Sequence, residues 1–385
     1  MENEILLDLA YFRPDTTNDA LELLFKARTE GEDDFIWSPH DSPFVQKMIE
    51  LFTKRGLDRL ASVQKALLRW QTKTDNLNTI PAPKPTIGMM ERWTAEEMAL
   101  VQIYLDALPL TAWSIDDHML SVELVVQTYL PKDELVQEAQ WLATKATMMG
   151  KVQNNWTKKN DPTLAEANKI LEQLPNTPQE TAWFPLTPKE QTTLEFASFR
   201  AAENVVSLTD GVRKRMRGIV ANHVEKKYLG GDQSGPSLQS ELFDTFAQLN
   251  RDWRRIAITE AGECQLQGFI AGAKPGSKVK RVEQYKDACP FCKKIHGTIA
   301  TVVTPDHPNK DPDTMIWPGK NNIGRAAAPR KRVGNVLIKR TPDEMWWLPA
   351  GLAHPHCRGT WVPVAEIEAP QDPEWAAILQ QFLES

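Results

Sequence analysis

Apolar residues at spacings of three and four recur along most of this chain and predict helices. Ala20–Ala27 (ALELLFKA) is the first short amphipathic run, followed by an acidic loop at Glu30–Asp34. A longer helix starts at Asp41-Ser42-Pro43, where a capping residue precedes proline in the first turn. It continues through Val45, Met48, Ile49, Phe52, Leu57, Leu60, Val63, Leu67 and Leu68, with Gly56 as a candidate kink. Ile80–Pro85 (IPAPKP) cannot be helical and reads as a stiff linker. Thr94-Ala95-Glu96-Glu97 is a capping box that opens a helix through Leu105. Helical periodicity returns over Asp116–Tyr129, Lys132–Trp156 and Thr163–Leu174, then stops in the Pro/Thr-rich connector Pro175–Pro188.

Beyond that connector, Pro188–Tyr228 is one long helix, or two broken near Thr209-Asp210-Gly211. Its stripe of Val205, Leu208, Val212, Ile219, Val220 and Val224 faces inward, and Arg213, Lys214, Arg215, Arg217, Lys226 and Lys227 cover a solvated face. After a turn-rich stretch at Gly230–Pro236, Ser237–Ile270 is helical again, with Leu238, Leu242, Phe246, Leu249, Trp253, Ile256 and Ala257 at core spacing. The pattern then changes period. Lys278–Tyr285 leads into a cysteine pair. Thr298–Thr304, Val333–Ile338 and Thr360–Val364 are β-branched runs that predict strands, the last at an edge because it contains Pro363.

Chemistry concentrates in two short segments of that last region. Cys289-Pro290-Phe291-Cys292 and His354-Pro355-His356-Cys357 hold three of the four cysteines. Each offers two ligand-type side chains two residues apart, so that one tight turn can aim both at one ion. A set of Cys289, Cys292, His354 and Cys357 suits tetrahedral zinc, and four protein ligands leave no position open for water, which makes the metal structural. His354 has the two-residue spacing to Cys357; His356, beside Cys357, is the alternative imidazole. The fold class this implies is α+β: a mostly helical N-terminal region and helical stalk, then a small antiparallel β module stapled by zinc. Segment boundaries fall at residues 1–85, 86–185, 186–365 and 366–385.

Other candidates carry less. Asp116-Asp117-His118 reads as the acidic start of a helix beside a lone imidazole. Glu260 reads as the partner of an arginine one helix turn away, and Cys264 as an ordinary thiol. Thr304–Glu344 is a long Pro/Gly/Asn-rich loop, and Met345-Trp346-Trp347 should pack its end onto the sheet. From Lys320 to Arg340 it carries Lys320, Arg325, Arg330, Lys331, Arg332, Lys339 and Arg340 without an acid, a local +7 in a chain of net charge −6. It is the candidate contact for nucleic acid or an acidic partner.

Composition bounds the class. With 41% hydrophobic and 25% charged residues the chain is of ordinary soluble type. Its net acidity excludes a general polyanion binder, and no apolar run suits a membrane span. Met1-Glu2-Asn3-Glu4 lacks the basic region of a signal peptide, which implies a reducing cytoplasm. Thirteen tryptophans and 27 prolines suggest many short elements and surfaces for partners.

Three elements in order resemble the Mu F-like phage head morphogenesis family, the phage minor head proteins. They are Arg255-Ile256-Ala257-Ile258-Thr259-Glu260; Asp287-Ala288-Cys289-Pro290-Phe291-Cys292 with His296-Gly297; and His354-Pro355-His356-Cys357-Arg358-Gly359. They match the family's A-R-T-E helix, its C-x-x-C…x-G knuckle and its closing H-P-x-C-R-C, over about residues 190–365. Ile258 stands where the family has arginine and Gly359 where it has a further cysteine, and the 320–340 insertion lengthens the loop. The resemblance implies a minor virion protein in the head interior or portal region, assembled in the host cytoplasm. It would act structurally in prohead assembly, contacting portal, major capsid or scaffold protein and, further, packaged DNA, with no membrane and no catalysis. Two other readings remain open. One is a zinc-stapled nuclease using His296, His307 or His356 with Asp306, Asp311 and Asp313 around a second metal. The other is a non-specific DNA-binding protein acting through loop 320–340.

Overall fold

The computed structural model describes residues 43–75, 80–89, 92–153, 169, 172–180, 186–229, 237–283, 288–355 and 357–364, with side chains from Met48 onward. The expected short helix at 20–27, the acidic loop at 30–34, most of the 163–174 helix, the 230–236 turn, His356 and the segment 366–385, where Trp375–Leu383 has the pattern of a short amphipathic helix, lie outside these residues. Among the described residues six α-helices come first: α1 (Pro43–Gln71), α2 (Ala95–Ala107), α3 (Ile115–Tyr129), α4 (Lys132–Gln153), α5 (Pro188–Tyr228) and α6 (Leu238–Gly272). The C-terminal module follows: β1 (Lys278–Val282), α7 (Pro290–Ile295), β2 (Ile299–Val302), β3 (Met315–Ile316), β4 (Arg330–Val333), β5 (Val336–Lys339) and β6 (Thr360–Pro363). The architecture is α+β.

Local chemistry accounts for the helix starts. Thr94 and Glu97, Ser114 and Asp117, and Thr187 and Glu190 each form reciprocal capping boxes that satisfy the first free N–H groups. Pro188 occupies the first turn of α5, where its missing N–H costs nothing. α5 is a single helix of 41 residues; Gly211, the expected break, lies inside it with no atom within 4 Å of a built Cβ. Gly56 likewise does not interrupt α1. It makes room, since a Cβ there would meet the Trp253 indole at 1.9 Å.

The helical core runs from Met48 to Cys264 without a break at residues 85 or 185, and takes in α1 to α5 and most of α6. α6 packs on α4, α1 and α5. It meets α4 at a crossing where Gly150 faces Gln265 and Gly268 faces Thr147. A second core starts one residue after a single intervening glutamine, at Leu266. It joins Leu266, Phe269 and Ile270 to Val279, Ala300, Val302, Ile316, Leu352 and Trp361. The C-terminal third of α6 is therefore the floor of the β module.

The sheet has the order β3-β2-β1-β6. β1 is central and antiparallel to both neighbours, with Lys278 opposite Thr301 and Lys280 opposite Val362, while β2 and β3 run parallel. The sheet is thus mixed, and β1 is its middle strand where the sequence suggested only a lead-in. β6 is an edge strand, as Pro363 implied. Val333–Ile338 is not a strand of this sheet. Gly334, at φ +58°, and Asn335 turn the chain, so the run splits into a separate two-stranded ribbon of β4 and β5.

Candidate metal centre

The cysteine pair begins a helix. Cys289 caps α7, with Pro290 in its first turn, and the Cys289 Sγ accepts the Cys292 N–H at 3.5 Å. Gly297, at φ +80°, lets the chain leave α7 in the left-handed region and enter β2. The second pair forms a turn closed by the Cys357 N–H on the His354 carbonyl at 3.0 Å. The sheet brings the two turns together, because β2 leaves the first and β6 leaves the second, both hydrogen-bonded to β1.

The His354 Nε2 lies 3.3 Å from the Cys289 Sγ and 3.2 Å from the Cys292 Sγ, and the Cys292 and Cys357 sulfurs are 3.9 Å apart. A tetrahedral zinc with bonds of about 2.3 Å to sulfur and 2.0–2.1 Å to nitrogen has edges of about 3.8 Å between sulfurs and about 3.6 Å between sulfur and nitrogen. Those three edges match that shape to a few tenths of an ångström, and the four residues lie close enough to hold one ion, although Cys357 does not lie within 4.8 Å of both Cys289 and His354. Cys289, Cys292 and His354 form the compact half; Cys357 joins through Cys292 in a second triad with Glu283. The His354 Nδ1 lies 2.8 Å from the Pro355 carbonyl oxygen, and a proton there leaves Nε2 free as the ligand atom. Trp346 stacks on the His354 imidazole at 5.4 Å and meets Phe291 edge-on at 5.3 Å, covering the open side. Burial raises the Cys289 thiol, but the Cys292 N–H and His354 outweigh it and draw the group below its ordinary value. Cys357 is pushed well up, by Cys292 beside it and by burial.

Below Cys357 is a feature that sequence reading missed. Arg281 and Glu283 are fully buried side chains, paired at 2.8 Å between the Arg281 Nε and the Glu283 Oε1. Arg281 also donates to the Gly351 carbonyl at 3.0 Å and to the Cys357 Sγ at 3.7 Å, and lies over the Trp361 ring. Both Glu283 oxygens lie 3.6 Å from the Cys357 Sγ. The only sequence signal was an Arg at an inward position of an alternating strand, and an alternation broken by charge does not read as a strand.

The basic stretch divides. Lys320 is buried, donates to the Pro312 and Met315 carbonyls at 2.6 and 2.9 Å, and lies against Trp317 and Trp347. Burial pulls its amine down to about 7. Arg325 stacks on Trp347 at 3.6 Å and donates to the Met345 carbonyl. These two side chains order the loop from within, so Thr304–Glu344 is a folded segment and not a structureless one. Trp346 and Trp347 pack on the metal-centre side and on this loop, not on the sheet. Lys331 pairs with Glu344, and Arg340 is half-buried. Arg330, Arg332 and Lys339 stand exposed on the ribbon.

Two further expectations change, for Glu260 and Arg213, while Asp117, His118 and Cys264 stand as read. Glu260 pairs with Arg200 of α5 at 3.1 Å and with Asn204 at 2.9 Å, not with an arginine of its own helix. Arg213 is not on a solvated face; it reaches the buried Glu123 of α3 at 3.2 Å. Asp117 caps α3 and bonds the Tyr104 hydroxyl at 2.9 Å, while the His118 Nδ1 lies 2.8 Å from the Gln71 Oε1 beneath Trp113. Cys264 is buried, and burial pushes its thiol up to about 12. The His296 Nδ1 accepts the Glu283 N–H at 3.1 Å. Among the described residues only the two triads sharing Cys292 place three or more potential ligands together; Asp306, His307, Asp311 and Asp313 do not gather. No helix among the described residues is long and apolar enough to cross a membrane. Comparison with protein-family models, with curated proteins and with solved structures finds no match.

Proposed function

We propose that this chain is a phage minor head protein, acting structurally in prohead assembly, whose C-terminal module is stapled by one structural zinc ion. The observation that carries the reading is the convergence of Cys289, Cys292, His354 and Cys357 across 61 intervening residues, in a module that follows the helix bearing Glu260. That order of elements is the one the family resemblance rests on. The zinc would tie the knuckle of α7 to the turn before β6 and hold α6, the sheet and the loop as one rigid body. Its partners would be the portal protein and the major capsid or scaffold protein. Zinc analysis of the purified chain and co-sedimentation with the portal oligomer of its own phage test the reading. About one zinc per chain and portal binding support it. A metal-free chain that ignores the portal sinks it, and divalent-metal-dependent hydrolysis of DNA would favour a nuclease instead.

The exposed ribbon favours DNA as a further contact. Arg330, Arg332 and Lys339 share one of its faces by the β4–β5 register, and same-face neighbours along a strand are about 6.8 Å apart. Three phosphate contacts would give a log–log salt slope of about −2.7 on a random 30-base-pair duplex. Reversing these three charges should abolish that binding without moving the thermal midpoint.

A further inference from the structure

The cluster has more donors than one tetrahedral ion needs. Glu283, Cys292 and Cys357 form their own triad, all buried, with ligand atoms within 4.8 Å of one another. By donor count that triad suits a second ion, bridged to the first through Cys292. The second half, however, already contains a positive charge. The Arg281 guanidinium contacts both the Cys357 Sγ, at 3.7 Å, and the Glu283 Oε1, at 2.8 Å, and is anchored on the Gly351 carbonyl. It is wholly buried and cannot lose its proton. A divalent ion between Cys357 and Glu283 would sit a few ångström from this fixed charge, where little water screens the repulsion.

Formal charge points the same way. Three thiolates and one carboxylate carry four negative charges. One divalent ion together with Arg281 leaves a single negative charge, which the Gly359 and Cys292 N–H groups face. Two divalent ions beside Arg281 would leave a buried positive charge. Two divalent ions without Arg281 would leave the cluster neutral. Gly359 makes the arrangement possible: a Cβ at that position would lie 1.9 Å from the Glu283 Oε1, so the carboxylate fills the space a side chain there would take.

We propose that Arg281 is a built-in cation occupying the place of a second metal ion, which limits the cluster to one ion. The proposal rests on the metal reading above. Arg281 acts through Cys357 and Glu283 and is a positioning residue, not a ligand.

Cobalt(II) titration of the full chain, followed by its thiolate charge-transfer absorption, and metal analysis after gel filtration test it. The wild type should take one ion. Arg281→Met, checked for folding by circular dichroism, should take two, and Arg281→Lys, which keeps the charge, should stay at one. Glu283→Gln keeps the shape and should bind the single ion with unchanged or tighter affinity, because Arg281 is then unopposed beside Cys357. A folded Arg281→Met that takes one ion or none overturns the proposal. So does a wild type that takes two. If Arg281→Met does not fold, Arg281→Gln, which keeps hydrogen-bond donors but loses the charge, decides: a folded Arg281→Gln that takes one ion overturns the proposal. A wild type that takes no metal overturns the metal reading itself, a separate outcome.

Discussion

Replacing Gly268 by alanine should destabilise the whole protein although alanine is the better helix former. A Cβ at 268 would lie 2.0 Å from the Thr147 carbonyl oxygen, and across the same crossing a Cβ at Gly150 would lie 1.8 Å from the Gln265 carbonyl oxygen. Ordinary contact begins at 3.4 Å, so α4 and α6 would have to part by more than an ångström. Backbone of a packed helix cannot rotate away as a side chain can. Overpacking of this kind costs about 1–3 kcal/mol, and the rigid obstacle puts Gly268→Ala at the upper end. The gain in helix propensity returns about 1 kcal/mol. The net expectation is a loss of about 2 kcal/mol, read as a lower urea midpoint at unchanged slope. Gly211→Ala is the control. It is also mid-helix, but nothing lies within 4 Å of its Cβ, so it should gain up to about 1 kcal/mol. A Gly268→Ala protein as stable as Gly211→Ala would refute the close crossing of α4 and α6.

Other outcomes follow from the same geometry. Cys289→Ser and Cys357→Ser should each lose bound zinc and lower the thermal midpoint, whereas Cys264→Ser, outside the cluster, should keep its metal; equal zinc content in all three would contradict the assignment. Arg200→Met leaves the buried Glu260 and Glu263 without their cation and should cost about 3–5 kcal/mol in denaturant melts, part of it recovered by adding Glu260→Gln. Burial holds His118 down at about 4, below its unfolded value near 6.5. The unfolded chain therefore binds a proton that the folded one does not between those values. Stability from this group is complete above about pH 6.5 and is lost as pH falls toward 4, by at most about 3 kcal/mol. His118→Gln should flatten that part of the pH profile of the urea midpoint, and an unchanged slope would count against burial as the cause.

Helices and caps were legible because their signals are local. Thr94-Ala95-Glu96-Glu97 carries its own hydrogen-bond partners, and the apolar spacing of α5 and α6 shows through any environment. The cysteine–histidine cluster was legible for the same reason, since each half is a short turn with its ligand-type side chains inside it. What misled was polarity at positions whose burial depends on distant chain. Lys320 read as a charge for an outside partner and Arg281 as part of a lead-in, yet both are buried, one among carbonyls and tryptophans and the other against Glu283. The partner of Glu260 is 60 residues away on another helix, and no periodicity within α6 points to it. Helix positions, the α+β class and the four candidate ligands followed from residues within a turn or two of one another. Which charges are buried, which strands lie inside the sheet and how the 61 residues between the two half-sites fold depend on contacts between segments remote along the chain, and no local pattern reports them.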